Sequence, residues 1–162
     1  MTIDRARRSA VPPTDGGGSG GDDYSVAFTL AYPDANAHSA RDWARAVFEG
    51  SPAALRPVLI VGWRLGLRLR LGPLRSPTHV LGWQVTEDEP GRIVLTAPSP
   101  LVEASNAALV EASAVTWVTR VRYRRAAGRL LWKAAAPVHE RTLPLLLTRA
   151  GRALAAPRDS GD

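Results

Sequence analysis

An alternating strand that leads directly into a long apolar helix is the feature that most constrains the fold of this chain. Alternate side chains of a strand point to opposite faces of a sheet. The face predicted to be buried carries Val115, Trp117, Thr119, Val121 and Tyr123. The opposite face, mostly suited to water, carries Thr116, Val118, Arg120, Arg122 and Arg124. A strand with one apolar face requires a second layer to cover it.

The helix predicted over 129–154 would form that layer. Residues at helical spacing are expected to face the sheet, namely Leu131, Ala135, Val138, Thr142, Leu145 and Ala153. Pro137 and Pro144 lie inside the helix, and each removes one backbone hydrogen bond. We therefore expect a bend at Pro137, where the helix crosses the strand.

Local signals predict a strand and two helices before this pair. Residues 23–31 alternate weakly and predict a first strand. Ser39 and Asp42 form a capping-box pattern for a helix over 40–49. Ser51 and Pro52 repeat a helix start signal, with serine as the N-cap. The first of these helices is expected to bury Trp43, Val47 and Phe48.

Two segments between the helices and the final strand allow both helix and strand. In 65–71, leucines alternate with arginine or glycine after a helical pattern, and we favour a helix that continues to about Leu71. In 101–112 we favour a strand, because a turn at Ser113 would then complete a meander. Residues 78–86 and 92–97 are predicted to form a hairpin around the acidic turn 87–91.

Composition indicates one domain in a chain of 162 residues that is 45% hydrophobic. Residues 1–23 and 157–162 are rich in small and polar residues and are predicted to be disordered tails around a domain at 24–156. The start has no apolar run typical of a secretory signal, and cysteine is absent. We expect a cytoplasmic protein.

Several strings are similar to those of a known fold family. They are HVLGWQV from His79, AVTWVTRVRYRR from Ala114 and LLWKAAAPVHERTLPLLL from Leu130. With the order of elements, they resemble the START-like or SRPBCC superfamily, and most closely its bacterial domain of unknown function 2867 family. The resemblance implies an α+β helix-grip fold, a curved antiparallel sheet wrapped around a long C-terminal helix. Such folds usually have more strands than we count here. Either 65–71 is a further strand, or this protein has fewer strands than is usual for the fold.

The resemblance also implies a cavity between sheet and helix, which in relatives holds lipids, polyketides, hormones or other apolar molecules. Aromatic residues with one polar atom suit the wall of such a cavity, although simple core packing also explains them. Candidate cavity residues come from the predicted inner strand faces and the last helix: His79, Leu81, Trp83, Trp117, Val121, Tyr123, Trp132 and His139.

The sequence contains no motif for a cofactor or a metal, and none is predicted. The histidines His38, His79 and His139 are far apart, and the glycines of 16–21 lack the strand and helix that phosphate binding requires. The acidic residues of 87–89 are expected to be a solvated loop rather than catalytic carboxylates. No catalytic residue is assigned.

Three functions remain open. The favoured one is a binding module for a small apolar molecule. The first alternative is a cyclase-like or hydratase-like enzyme, with His139 or His79 as base and Tyr123 as hydrogen-bond donor. The second is a peripheral membrane or lipid-handling protein, in which 58–71 lies on an anionic surface.

Nucleic acid is a less favoured partner despite the net charge of +6. Binding of single-stranded nucleic acid requires aromatic side chains on the same face as the basic ones. Here Trp117 and Tyr123 lie on the face opposite the row of arginines that starts at Arg120. The oligomeric state is left open.

Overall fold

The structure is a computed structural model that describes residues 3–13 and 21–156. Within these residues it contains eight strands and three α-helices, the second of which continues as a π-helical turn. In chain order they are β1 (Arg7–Ser9), β2 (Tyr24–Ala31), α1 (Ala40–Phe48), α2 (Leu55–Val61) with the π turn (Gly62–Gly66), β3 (Arg75–Ser76), β4 (His79–Val80), β5 (Trp83–Glu89), β6 (Arg92–Pro98), β7 (Val102–Val110), β8 (Ala114–Tyr123) and α3 (Ala126–Ala155).

All described strands belong to one antiparallel sheet in the order β1-β2-β8-β7-β6-β5-β4-β3. The strand β8 lies between β2 and β7, with Trp117 opposite Phe28 of β2 and Ala108 of β7. The sheet is curved, and α1 and α3 pack on the face that carries Trp117. This arrangement is an α+β helix-grip fold, and it confirms the predicted fold class.

The core lies between this inner face and the helices. The inner side chains of β8 from Val115 to Val121 are buried as predicted, and Trp117 contacts Phe48 of α1 with ring centroids 5.1 Å apart. At the far end of α3, Gly151 lies against Leu30 of β2. A Cβ at position 151 would come within 2.7 Å of that leucine, so glycine allows the helix to approach the strand.

Part of the segment predicted to be a disordered tail is ordered. Arg7–Ser9 extends the sheet by pairing with β2, and the backbone N–H of Ala6 donates to Thr148 Oγ1 of α3 at 2.9 Å. The edge of β2 offers unpaired backbone groups to any extended segment, so a strand forms without an apolar pattern of its own. Residues 1–2, 14–20 and 157–162, also predicted to be disordered, lie outside the described residues.

The same N-terminal segment covers part of the outer face of the sheet. Val118, which the alternation assigned to a mostly solvated face, is buried with Ala27 and Ala107, and Val11 packs against them. The guanidinium of Arg120 donates to the carbonyl oxygen of Pro12 at 2.7 Å. The outer face is therefore partly a second, small core.

Most of the local predictions are confirmed. Ser39 and Asp42 form both hydrogen bonds of the capping box, and α1 buries Trp43, Val47 and Phe48. The strand β7 is present where the pattern predicts it, and so is a β5–β6 hairpin, but with different bounds. A turn at Leu81 and Gly82 divides the predicted strand 78–86, and residues 87–89, predicted to lie in the hairpin turn, belong to β5 and pair with 92–94. These elements depend on interactions between residues close in sequence, which a local pattern can report.

The second helix differs from its prediction at both ends. It begins at Leu55, and Ser51 is not its cap but donates from Oγ to the carbonyl oxygen of Phe48 at 2.6 Å, which closes α1. The helical segment ends at Gly66, short of the predicted Leu71. Leu67 and Leu69 are then buried in an irregular segment, because Arg68 adopts a left-handed conformation (φ 51°) between them.

The additional strands of the sheet are neither 65–71 nor a trimmed set. They are β1 at one edge, and β3 and β4 at the other, where β3 and β4 have two residues each and β4 comes from the start of the predicted strand 78–86. The turn between β4 and β5 is formed by Leu81 and Gly82, both at positive φ, as a type I′ hairpin requires. Strands this short carry no period-two pattern.

The predicted buried stripe of α3 is wrong in orientation. Leu131, Val138, Leu145 and Ala153 are exposed, and the residues that face the core lie on a neighbouring part of the helix surface. The buried set includes Trp132, Leu143, Leu146, Leu147 and Ala150. The helix continues through Pro137 and Pro144. Four residues of the predicted stripe instead line an open cavity.

Candidate ligand-binding site

A cavity of about 460 Å³ lies between α3, the helix α2 with its π turn, and the inner face of β5, β7 and β8. Its wall is mostly apolar and is completed by the end of α1. The wall consists of Phe48, Val58, Leu59, Gly62, Trp63, Gly66, Leu67, Trp83, Ala104, Asn106, Thr119, Leu131, Trp132, Ala134, Ala135, Val138, His139, Thr142, Leu143 and Leu146. Small-molecule sites typically occupy about 300 to 1,000 Å³ and are mostly apolar.

The cavity is covered on one side by a weakly anchored element. No residue of α2 or of the π turn is fully buried, and Val58 and Leu65 are 63% and 75% exposed. Gly62 and Gly66 line the cavity and leave open space where a side chain would begin. π turns of this kind occur frequently at functional sites. The segment 55–66 lies over the cavity, and we call this segment the cover.

Four aromatic side chains form a connected cluster beside the cavity. The ring of Phe48 lies 5.2 Å from that of Trp63 and 6.1 Å from that of Trp83, measured between centroids. The rings of Trp63 and Trp83 are 5.5 Å apart and almost perpendicular. With Trp117 also against Phe48, the cluster links the cover, α1 and the sheet. Edge-to-face contacts of this type fix ring positions.

A chain of hydrogen bonds forms the polar part of the wall. The indole N–H of Trp117 and the hydroxyl of Thr119 both donate to Asn106 Oδ1, at 3.1 and 2.7 Å. His139 Nε2 lies 3.1 Å from Thr119 Oγ1. Because that hydroxyl already uses its proton toward Asn106, Nε2 of His139 must be the donor. The neutral imidazole then carries its free lone pair on Nδ1.

Burial lowers the pKa of His139 to about 4, and the nearby Glu140 carboxylate opposes this effect only in part. The imidazole is therefore uncharged near neutral pH. No other titratable residue lines the cavity, and no charged residue does, within the described part of the chain. The site offers hydrogen bonds without formal charge.

Two residues of the wall have indole N–H groups that lack a partner among the described residues and are not accessible from the cavity. The Nε1 atoms of Trp83 and Trp132 are buried and make no hydrogen bond with any described residue, in side chains only 3% and 4% exposed. An unpaired buried donor costs about 1–3 kcal/mol. Trp83 lines this cavity. Trp132 lines both this cavity and a neighbouring surface groove, which Tyr24 and Tyr123 also line.

The structure brings together some of the predicted site residues. Trp83, Trp132 and His139 line the cavity, and Trp117 reaches it through Asn106. Val121 is buried in the core. Leu81 lines a different groove, and His79 is half-buried with its Nδ1 beside Thr78 Oγ1.

The groups that the enzymatic alternative requires in one place are separated. His139 lines the cavity, Tyr123 lines the neighbouring groove, and His79 lines neither. In that groove the hydroxyl of Tyr24 donates to Glu140 Oε1 at 2.7 Å. Burial and this hydrogen bond raise the pKa of Tyr24 above its ordinary value. No group of three metal-ligating side chains comes together among the described residues.

Sequence reasoning missed Asn106 and the whole cover. Asn106 has the same strand parity as Val102, Ala104 and Ala108, so a polar residue on an otherwise apolar face was a readable signal. The cover had no comparable signal, because its exposed valines and leucines resemble those of any amphipathic helix.

The fold and the cavity together define a helix-grip-like domain with an apolar, uncharged pocket. No protein-family model matches the chain, and no curated protein does. Among solved structures, protein Ms6760 from Mycobacterium smegmatis is similar, at 14% sequence identity and a TM-score of 0.40, over 83% of this chain and 92% of that one. A similarity at this level supports no conclusion about function. None of the helices in the described part of the chain has the length and apolar character of a membrane span.

Proposed function

We propose that this protein is a START-like binding module that holds a small, mainly apolar molecule between its sheet and α3, without covalent chemistry. The observation that carries the proposal is the mostly apolar cavity of about 460 Å³, whose described wall contains no charged residue. Protein interiors are normally close-packed, and a space of this size lies within the range of small-molecule sites. The predicted cytoplasmic location remains a prediction.

The enzymatic alternative has less support. An imidazole with a pKa near 4 is a weak base at neutral pH, and Tyr123 is not available in the same cavity. The resemblance to the bacterial domain family of unknown function is likewise kept as a proposal, supported by the helix-grip arrangement and by the quoted strings.

Two adjacent alanines of α3 allow a matched test. Ala135 and Ala136 are both half-buried, but Ala135 lines the cavity and Ala136 lines the neighbouring groove. The neutral fluorescent probe N-phenyl-1-naphthylamine is titrated into the wild type, Ala135→Phe and Ala136→Phe. We expect Ala135→Phe to weaken binding at least about tenfold, because its ring fills the cavity, and Ala136→Phe to change it less than about twofold.

Native mass spectrometry of the freshly purified wild type provides an independent measurement, in which a bound small molecule adds mass that Ala135→Phe loses. The proposal is wrong if no molecule is retained and the probe binds both variants and the wild type equally.

A second candidate, docking on an anionic membrane, is favoured by a separate observation. From residue 50 to residue 86 the chain has no Asp or Glu but five arginines. Arg64, Arg68 and Arg70 are exposed, beside the exposed apolar side chains of Val58 and Leu65. Apolar residues flanked by cations suit an anionic lipid surface, because each basic residue near such a surface contributes about 1 kcal/mol of electrostatic attraction.

Vesicle flotation tests this candidate. We expect the wild type to float with phosphatidylcholine vesicles that contain phosphatidylserine, and the triple change of Arg64, Arg68 and Arg70 to Gln to remove most of this binding. The control changes Arg122, Arg124 and Arg125 to Gln, which lowers the net charge equally on another surface. Equal flotation of both triple variants would show that general charge, rather than this segment, is responsible.

A further inference from the structure

We infer that a groove between α1, α2 and the segment 74–81 binds a phosphate monoester of a small apolar molecule. The groove has a volume of about 1010 Å³. It is distinct from the cavity between the sheet and α3, because no described residue lines both. This inference therefore goes beyond the proposed function and does not depend on it.

Two arginines of the groove are half-buried and have no counter-ion. Arg45 of α1 and Arg56 of α2 line the groove, and neither forms a salt bridge with a carboxylate of the described residues. The guanidinium of Arg45 makes one long hydrogen bond, from Nη2 to the carbonyl oxygen of Ser76 at 3.4 Å. Removal of a cation from water is costly when no anion compensates it. A bound anion would offset that cost.

Other arginines of the chain do have carboxylate partners. Arg8 lies 3.0 Å from Glu140, although its side chain is 62% exposed and needs a partner less. Beside the groove, Arg41 donates to the carbonyl oxygen of Pro77 and pairs with Asp88 at 2.6 Å. The two half-buried arginines of the groove therefore differ from a neighbour whose charge is compensated within the protein.

The terminal nitrogens of these side chains are the groups that a ligand can reach. The Nε atoms of Arg45 and Arg56 are buried, so they are not available to a ligand. The terminal nitrogens of Arg56 make no hydrogen bond with a described residue and, unlike its Nε, are not buried. Arg75 of β3 is exposed and adds a third guanidinium to the groove. Guanidinium groups match the oxygens of phosphate in charge and geometry.

The charge of the groove and its apolar surface define the class of ligand. Three guanidinium groups and the carboxylate of Glu49 give the lining a net charge of +2. A phosphate monoester carries about −1.5 to −2 charges near neutral pH, which matches this value better than the single charge of a carboxylate. Ile60, Leu74 and Leu81 also line the groove and would contact the apolar part of the ligand.

Three soluble probes separate the two parts of the ligand. Phenyl phosphate has a monoester and an apolar ring, inorganic phosphate lacks the ring, and benzoate has a carboxylate in place of the phosphate. Titration calorimetry of the full chain near neutral pH is expected to show phenyl phosphate binding at least about threefold more tightly than either of the others.

A double variant tests the arginines. We expect Arg45→Gln with Arg56→Gln to weaken phenyl phosphate binding at least about tenfold, because glutamine keeps a polar side chain but no charge. The control is Arg64→Gln with Arg70→Gln, which removes the same charge from two exposed arginines outside the groove. It should change the affinity less than about twofold, because salt screens exposed and distant charges.

An NMR titration of the wild type does not depend on any variant folding. We expect phenyl phosphate to shift the backbone amide resonances of 45–49, 56–60 and 74–77, which contain groove residues. The resonances of 119–123 should stay in place, because these residues do not line the groove.

Phosphatidic acid carries the same monoester, so vesicle flotation distinguishes a lipid headgroup from a soluble ligand. Binding of phenyl phosphate that only the Arg45 and Arg56 double variant loses supports a soluble monoester. A lipid source is supported if phenyl phosphate does not bind but the wild type prefers vesicles with phosphatidic acid over vesicles with phosphatidylglycerol. The Arg45 and Arg56 double variant should then lose this preference and the control should keep it.

The inference is overturned if neither phenyl phosphate nor phosphatidic acid is bound in this way. It is also overturned if inorganic phosphate or benzoate binds as tightly as phenyl phosphate, or if the control loses as much affinity as the double variant in the groove. None of these results bears on the apolar cavity, which N-phenyl-1-naphthylamine tests separately.

Discussion

Burial holds the imidazole of His139 neutral, and its folded pKa of about 4 lies below the ordinary value of 6.5. Between these two values the unfolded chain binds a proton at residue 139 that the folded protein does not bind. Stability is therefore expected to rise with pH across this window and to be lost as the pH falls from 6.5 toward 4. Protonation would also place a charge beside Thr119 and Trp132 in an apolar wall.

We predict that this single group makes the free energy of unfolding depend on pH, by on the order of 3 kcal/mol between pH 7 and pH 4. The amide of Gln can still donate to Thr119 and does not titrate, so His139→Gln should show a smaller loss over the same range. Urea denaturation at a series of pH values measures both. An identical pH profile for wild type and variant would contradict the assignment.

At the scale of single elements, α1 and α2 differ in how they are held. Among the nine residues of α1, five are buried, and a capping box closes its start, whereas α2 has no buried residue and no side-chain cap. Most helical stability in proteins comes from packing of an apolar face. The cover therefore belongs to the less stable part of the fold, as ligand-gating elements commonly do.

Amide hydrogen exchange should report this difference directly. We predict that the backbone amides of 58–66 exchange at least about tenfold faster than those of 43–48 in the unliganded protein. Addition of N-phenyl-1-naphthylamine should slow exchange in the cover and leave α1 nearly unchanged, because residues of the cover form part of the cavity wall. Equal protection of the two helices without ligand would contradict a mobile cover.

At the scale of the whole molecule, the cavity exists because three distant parts of the chain meet. The wall combines α2 with its π turn, the strands β5, β7 and β8, and the middle of α3. The N-terminal segment is tied to the end of α3 through the contact of Ala6 with Thr148, 142 residues apart. No local sequence pattern predicts a contact between residues so far apart in the chain.

Particular residues show how far sequence reasoning extended to the site. The alternation placed Trp83, Trp117 and Thr119 on inner faces correctly, since parity is a property of the strand itself. It also placed Tyr123 on the inner face, but the end of β8 opens onto the neighbouring groove. Leu131 and Val138 were predicted to be buried because helical spacing shows that a face is apolar, but not which neighbour covers it.

The sequence by itself determined the α+β class, the faces of the longer strands, the β5–β6 hairpin and the capping box of α1. Each depends on residues within a few positions of one another, where periodicity and local hydrogen bonds act. Only the tertiary structure decided the rotation of α3, the pairing of β1, the hydrogen bonds that join His139 to Asn106, and the two indole donors without partners. These depend on how separate elements approach in space, and burial and unpaired donors become defined only when that packing is complete.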